Sequence, residues 1–306
     1  MRIERIDLQH LRKIPMPTTA CIGYFDGMHR GHQQLIEKTI ALAKEHHCES
    51  SLITFDPDPE VTIFHLEDKK HITPLNQKIN LAVRFGIKNV FIISFTKEMS
   101  ELSPEDFIHK VLGCLDLKAL VCGFDFHYGY KGAGNAETLQ KETAFETYVI
   151  NEIQEDGEKI SSTRILNQLE EGKVDEVERL LGYPFEVDGY VRPGNHVGHQ
   201  LGFPTANIYI HPSYQLPKPG VYAGYAYTQG KRYLAMINIG HNPTCNYQED
   251  LSFEVHLLGF TGDLYGKRVR VLFKNYLREE RKFKNIDNLR MQLEQDCFAV
   301  KRLLSQ

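Results

Sequence analysis

Gly23-Tyr24-Phe25-Asp26-Gly27-Met28-His29-Arg30-Gly31-His32 stands where a buried-strand pattern, Thr19 to Tyr24, gives way to a helical one, Gly31 to His47. In the helical part Leu35, Ile36, Ile40 and Ala43 recur at helical spacing. A helix N-terminus exposes unpaired backbone N–H groups and the positive end of the aligned peptide dipoles, so anions bind there. Gly23, Gly27 and Gly31 let a phosphate approach the backbone closely. His29 and His32, three residues apart, can aim two ring nitrogens at one anion. The chain has no Gly-x-x-x-x-Gly-Lys-Ser/Thr loop of the Walker type. The alternative is a solvated loop with incidental histidines; two of them inside a glycine frame at a strand-to-helix turn favour the anion site.

Working outward, strand patterns recur at Ser51 to Phe55, Asn89 to Phe95 and Ala119 to Gly123, mostly with helical patterns between them. Strands alternating with helices predict a parallel sheet covered by helices, with ligands outside the carboxyl ends of its strands. Lys173 to Leu181 reads as one more amphipathic helix, stopped by Gly182, Tyr183 and Pro184. The texture then changes. Gly220 to Thr228, Tyr233 to Ile239, Leu251 to Leu258 and Arg268 to Phe273 are strand-like and separated by Gly, Pro and Asn clusters. That predicts an antiparallel sheet or small barrel. Ile286, Leu289, Leu293, Cys297, Val300 and Leu304 predict a C-terminal helix covering one side of it. The expected boundary lies near Gly182, giving domains 1–182 and 183–306.

A chain of 306 residues is long enough for two such cores. A formal net charge of −4 argues against a protein that coats nucleic acid, which needs a strongly basic face. No stretch of about 18 apolar residues occurs, so no transmembrane helix is expected, and Met1 to Pro17 has no apolar signal-peptide core. Cys21, Cys48, Cys114, Cys122, Cys245 and Cys297 show no C-x-x-C spacing; neither a zinc site nor a disulfide framework is read, and reduced thiols in the cytoplasm are expected.

A second cluster starts at Leu201-Gly202-Phe203-Pro204-Thr205-Ala206-Asn207. If the segment is extended, Thr205 and Asn207 share a side, and a hydroxyl with an amide oxygen can ligate a hard cation. The same pair can instead satisfy turn backbone. In Leu251 to Leu258, alternation puts Glu254, His256 and Leu258 on one face and Phe253, Val255 and Leu257 on the other. A solvated outer face is the plain alternative for Glu254.

The first stretch resembles the H-x-G-H signature of nucleotidylyltransferases. Its wider form resembles the amino-terminal module of bacterial bifunctional riboflavin kinase/FAD synthetases. Thr54-Phe55-Asp56-Pro57, Gly123-Phe124-Asp125-Phe126-His127-Tyr128-Gly129 and Ile160-Ser161-Ser162-Thr163 resemble further motifs of that module. Pro204-Thr205-Ala206-Asn207 resembles the P-T-A-N signature of riboflavin kinases. Phe253-Glu254-Val255-His256, Gly262-Asp263-Leu264-Tyr265-Gly266, Pro219-Gly220-Val221-Tyr222, Asn238-Ile239-Gly240-His241-Asn242-Pro243-Thr244 and Leu277-Arg278-Glu279-Glu280 agree in order. The resemblance runs from about Ala20 to Phe298.

The resemblance implies an α/β fold: a Rossmann-like nucleotidylyltransferase domain, then a small antiparallel riboflavin kinase-like barrel with a C-terminal helix. It implies riboflavin, FMN and ATP as substrates, Mg²⁺ as cofactor, FMN and FAD as products, and neither nucleic acid nor membrane as partner. In the first module His29 and His32 would hold ATP phosphates. Gly23, Phe25, Asp26, Gly31 and Asp125 would shape the nucleotide pocket, and Ser162, Thr163 and Arg164 would meet phosphates. In the second, Thr205 and Asn207 would hold the metal, Gly202 and Pro204 would line the nucleotide, and Glu254 would be the general base. Arg278 would contact the flavin or its new phosphate, with a surface salt bridge as its alternative. Phe126, Tyr128 and Tyr130 are candidates to stack on the flavin ring. Three positions depart from the family pattern: Asp58 stands where His is usual, Leu166 where Arg is usual, and His199 where Arg often precedes Leu-Gly-Phe-Pro.

Overall fold

Parallel pairing organises the first part of the chain. In the computed structural model, which describes residues 1–193, 202–241 and 251–305, the strands β1 (Arg2–Ile6), β2 (Ile14–Ile22), β3 (Glu49–Asp56), β4 (Asn89–Ser94), β5 (Leu115–Gly123) and β6 (Glu146–Ile150) form one sheet in the order β1-β4-β3-β2-β5-β6. Every neighbouring pair is parallel. β3 and β4 are buried almost end to end, which explains their apolar runs without alternation. Helix α1 (Arg30–Glu45) lays Leu35, Ile36, Leu42 and Ala43 into this core. At about 25 cal/mol per Å² of apolar surface, each such fully buried Leu or Ile contributes roughly 1.5–3 kcal/mol. Two further helices, α2 (Pro59–Phe64) and α3 (Leu75–Arg84), lie between β3 and β4 in sequence.

The chain divides into two compact units, Met1–Ser162 and Thr163–Gln306. Helices α4 (Ser162–Glu170) and α5 (Val174–Leu181) therefore group with the second unit almost entirely, whereas the sequence pattern assigns them to the first. Packing gives the reason. The Leu169 carbonyl accepts from the Lys218 N–H, and Glu178 pairs with Lys274 at 2.5 Å.

The second unit is a closed barrel of β7 (Glu186–Arg192), β8 (Ala206–Ile210), β9 (Gly220–Thr228), β10 (Lys231–His241), β11 (Leu251–Leu257) and β12 (Arg268–Arg278), in the ring order β7-β8-β11-β10-β9-β12. Neighbours are antiparallel throughout. Tyr222, Phe253 and Phe273 fill its interior, with Phe273 edge-on to Tyr222 and stacked on Phe253. The terminal helix α6 (Ile286–Leu304) packs over β9 and β10 through Val300, Leu293, Cys297 and Leu304. The expected Rossmann-like sheet, antiparallel barrel and C-terminal helix are all present.

One ion pair fastens α6. The Arg278 guanidinium grips Asp296 through Nε at 3.0 Å and Nη2 at 2.7 Å, and Gln292 donates to the same carboxylate at 2.9 Å. Asp296 is buried. Removing one member of a buried pair strands the other charge, so Asp296→Ala is expected to destabilise the barrel unit by about 3 kcal/mol. Urea unfolding followed by near-ultraviolet circular dichroism measures this; an unchanged barrel transition would mean the pair is not a fastening.

Candidate functional sites

The first candidate site is built at the end of β2. Phe25 takes φ 58 and Met28 φ 39, left-handed backbone that a bulky side chain adopts at a cost of about 1–2 kcal/mol each. Burial of both side chains in the core holds them there. The Asp26 carboxylate accepts from Ile72 N at 3.2 Å, Thr73 N at 2.9 Å and Thr73 Oγ1 at 3.2 Å. Gly27 N donates to Thr73 Oγ1 at 2.8 Å, and Ser162 Oγ donates to the Asp26 carbonyl at 2.9 Å. The 71–73 segment and the start of α4 thus clamp the turn from two sides.

His29 caps α1, its Nδ1 accepting from the His32 N–H at 3.4 Å. The two imidazoles stack, centroids 3.7 Å apart and planes 18° from parallel. A Cβ at Gly31 would lie 3.1 Å from His29 Nδ1, so a side chain there would press on the ring. Burial pushes His29 down to about 4 and His32 well below its ordinary value, with Lys159 contributing to both. Both rings are therefore neutral at pH 7. In His29 the acceptor role of Nδ1 puts the proton on Nε2, leaving an N–H to offer a ligand. His32 Nδ1 is buried without a hydrogen-bond partner, an open polar valence in the cradle.

Gly23 lies against the Phe25 ring, and Phe25 meets His32 edge-on at 5.2 Å between centroids. Asp125 pairs with Lys159 at 2.5 Å, and the Lys159 ammonium also lies over the Phe124 ring. Ser162 opens α4; Thr163 and Arg164 follow in its first turn, in the second compact unit. Leu166 lies on the same helix. Of the stacking candidates, Tyr128 is buried against Phe107 and Phe126, while Tyr130 is exposed. Asp58, the departure from the family's His, caps α2 through Glu60 N at 2.9 Å and pairs with Lys69 at 2.8 Å. His71 Nδ1 stands 3.7 Å from Asp58 and 3.9 Å from Asp26. Neither His71 nor the buried Lys78 is marked by the sequence pattern; a His-Ile-Thr-Pro stretch before an ordinary amphipathic helix carries no local signal.

The second candidate site lies on the outside of the barrel. Phe253, Val255 and Leu257 face the core, so Glu254 and His256 face outward, as alternation predicts. Glu254 sits across from Asn207 on β8 and from Asn238 on β10. Thr205 Oγ1 donates to Glu254 Oε2 at 3.3 Å. His256 Nδ1 donates to the Pro204 carbonyl at 2.8 Å, and the Phe203 ring meets His256 edge-on. Burial lowers the His256 pKa, which keeps it a neutral single donor. Gly202 takes φ +82, open for a glycine, and begins the strap that these contacts tie down. Thr205 and Asn207 present hard oxygens beside Glu254, a donor set that suits a small divalent cation. Arg278 stands apart from this reading: its guanidinium is committed to Asp296. His199, Leu201, Asn242, Pro243 and Thr244 lie outside the described residues.

Both halves match known families. Residues 11–164 match the FAD synthetase model and residues 181–304 the riboflavin kinase model. The bifunctional riboflavin kinase/FMN adenylyltransferase of Listeria monocytogenes is 36% identical over 278 residues, 90% of this chain and 88% of that protein. Those of Bacillus subtilis and Pseudomonas fluorescens are 35% and 33% identical, the latter over 97% of this chain and 96% of its own length. A crystal structure described as a macrolide-efflux protein from Streptococcus pneumoniae superimposes with a TM-score of 0.89 at 29% identity, covering 98% of this chain and 99% of that one. The efflux description belongs to that protein; among the described residues here no helix is long and apolar enough to cross a membrane.

The buried imidazoles carry a pH consequence. A folded-state value depressed below the unfolded one of about 6.5 means that the folded protein binds fewer protons. The stability held by His29 is complete above about 6.5 and is lost as pH falls toward about 4. Imidazole ¹⁵N spectra should show His29 still neutral, with its proton on Nε2, at about pH 6; a charged ring there would contradict the burial argument. With 36% identity to Listeria over most of its length and a family model on each half, this chain belongs to the bifunctional riboflavin kinase/FMN adenylyltransferase family.

Proposed function

We propose that the chain makes FAD from riboflavin in two ATP-dependent steps, FMN being the product of one site and the substrate of the other. The observation that carries this is the coexistence, on one polypeptide, of a neutral imidazole pair at a helix start and an outward glutamate tied to a Thr-x-Asn strap. As functional modules we assign 1–182 to adenylyl transfer and 183–306 to phosphorylation; the family matches at 11–164 and 181–304 support that division. Riboflavin, FMN and ATP are the proposed ligands and the cytoplasm the proposed compartment, where ATP is available.

At the barrel, Glu254 takes the proton from the riboflavin 5′-hydroxyl as its oxygen attacks the γ-phosphorus of ATP; the bond from that phosphorus to the β-bridging oxygen breaks and ADP leaves. Thr205, by donating to Oε2, leaves Oε1 as the basic oxygen. Bound Mg²⁺, held by Thr205 and Asn207, would neutralise charge on the ATP phosphates. His256 acts through Pro204, fixing the strap that carries Thr205.

At the sheet, an oxygen of the FMN phosphate attacks the α-phosphorus of ATP and pyrophosphate leaves. Such chemistry needs positioning and charge stabilisation more than covalent help. His29 donates from Nε2 and the first N–H groups of α1 donate along the helix axis. Ser162 locks the turn through the Asp26 carbonyl. Thr163 and Arg164, at a helix start themselves, are proposed to meet phosphate oxygens, and Gly23, Phe25, Gly31 and Asp125 to bound the nucleotide.

The two sites separate by mutation. Glu254→Gln should reduce FMN formation from riboflavin by about 10²–10⁴-fold while FMN-to-FAD conversion persists. His29→Ala with His32→Ala should reduce FAD formation by roughly 10²-fold or more and spare phosphorylation. Chromatographic separation of riboflavin, FMN and FAD reads both; parallel loss of the two activities in either variant would contradict separate sites.

A further inference from the structure

Lys78 is a buried lysine that the mechanism above does not use. It lies on α3, is 2% exposed, and holds its ammonium 3.5 Å from the centroid of the Tyr24 ring, in the turn that leads to His29. Four elements present charged or titratable groups to it. Tyr24 and Asp26 come from the turn, Asp56 and Asp58 from the end of β3 and the residues after it, and Lys69 and His71 from the segment before α3. His32 of α1 feels its charge as well.

The carboxylates do not draw on Lys78 for hydrogen bonds. Asp26 is occupied by Ile72 and Thr73. Asp58 accepts from Glu60 N and pairs with Lys69, and Asp56 pairs with Arg5 at 2.6 Å. A charge balance shows what Lys78 adds. Asp56 is offset by Arg5. Lys69 is shared between Asp58 and the exposed Glu60, so Lys78 is the further cation that offsets the buried Asp26 and Asp58. Without the Lys78 proton, that buried carboxylate charge loses much of its compensation next to the turn proposed to receive a triphosphate. The neutral His29 and His32 rings can offer N–H groups to a ligand but cancel no charge, and Lys159 is already paired with Asp125.

We infer that Lys78 is a positioning residue for adenylyl transfer: as an ammonium seated on the Tyr24 ring, it offsets the buried carboxylate charge beside the phosphate turn so that ATP binds in the reactive pose. This rests on the assignment of adenylyl transfer to that turn. Burial pushes Lys78 down to about 8, so the charge is lost within a range open to assay.

The test is kcat/KM for ATP in FMN-to-FAD conversion, from about pH 6.5 to about pH 9.5, for the wild-type protein, Lys78→Arg and Lys78→Met. Riboflavin phosphorylation is recorded on the same preparations. The expected wild-type profile falls above about pH 8. Lys78→Arg keeps FAD formation and removes that fall, since a guanidinium stays charged throughout. Lys78→Met loses about tenfold or more at pH 7 with phosphorylation unchanged. Lys78→Met matching the wild type at pH 7, or Lys78→Arg retaining the same fall, would overturn the inference. If Lys78→Met does not fold, the Lys78→Arg profile decides in the same way. A wild-type protein that forms no FAD at any pH would overturn the reaction assignment and this role with it, whereas FAD formed with an unmoved profile overturns the role alone.

Discussion

The carboxylate of Asp26 is the constraint on which the first site depends. It lies one residue after a strained Phe25 and three before the helix cap, and it is filled by donors from the 71–73 segment. Backbone strain of this kind persists only where surrounding contacts over-determine it. Here the contacts are the buried Phe25 and Met28 side chains, the Thr73 clamp and the Ser162 bond to the Asp26 carbonyl. Together they fix where α1 begins, and hence where its unpaired N–H groups and the His29 ring point.

The second site solves a different problem with other means. A barrel strand has a fixed alternation, so the residue that faces outward is set by register alone. Glu254 gains its position from pairing with Asn207 on one side and Asn238 on the other. His256, two residues on and therefore on the same face, anchors the strap that brings Thr205 to Glu254. Among the described residues neither site borrows rigidity from a disulfide: Cys21, Cys48, Cys114, Cys122 and Cys297 are free thiols.

Much of this was legible because the decisive signals are local. The strand-to-helix turn at 23–32, the strands Gly220–Thr228 and Leu251–Leu257, the outward Glu254 and the terminal helix each follow from spacing within a few residues. What escaped depends on distant partners. β1 is a short, half-exposed strand whose place is set by pairing with β4, far along the chain. Arg278 offers no hint in sequence that its partner is Asp296, 18 residues further along and midway through α6. Lys78 shares a helix face with the buried Leu81 and Ala82, but a lysine by type belongs to solvent, and the neighbours that hold its charge there, Tyr24, Asp26 and Asp58, come from distant segments. The grouping of α4 and α5 with the barrel likewise rests on partners far along the chain, Lys218 for the Leu169 carbonyl and Lys274 for Glu178, not on their own periodicity.

Closure of the barrel restricts how anything can dock on it. In the ring β7-β8-β11-β10-β9-β12 each strand is flanked on both sides, most thinly where β8 meets β11 over Ala206 and Asn207, so among the described residues little lateral edge is left for an incoming chain to zip onto. Recognition on this unit then runs mainly through side chains and through connecting segments such as 202–205. Selectivity is therefore free to change by loop substitution while the ring of strands, and the stability it carries, stays as it is.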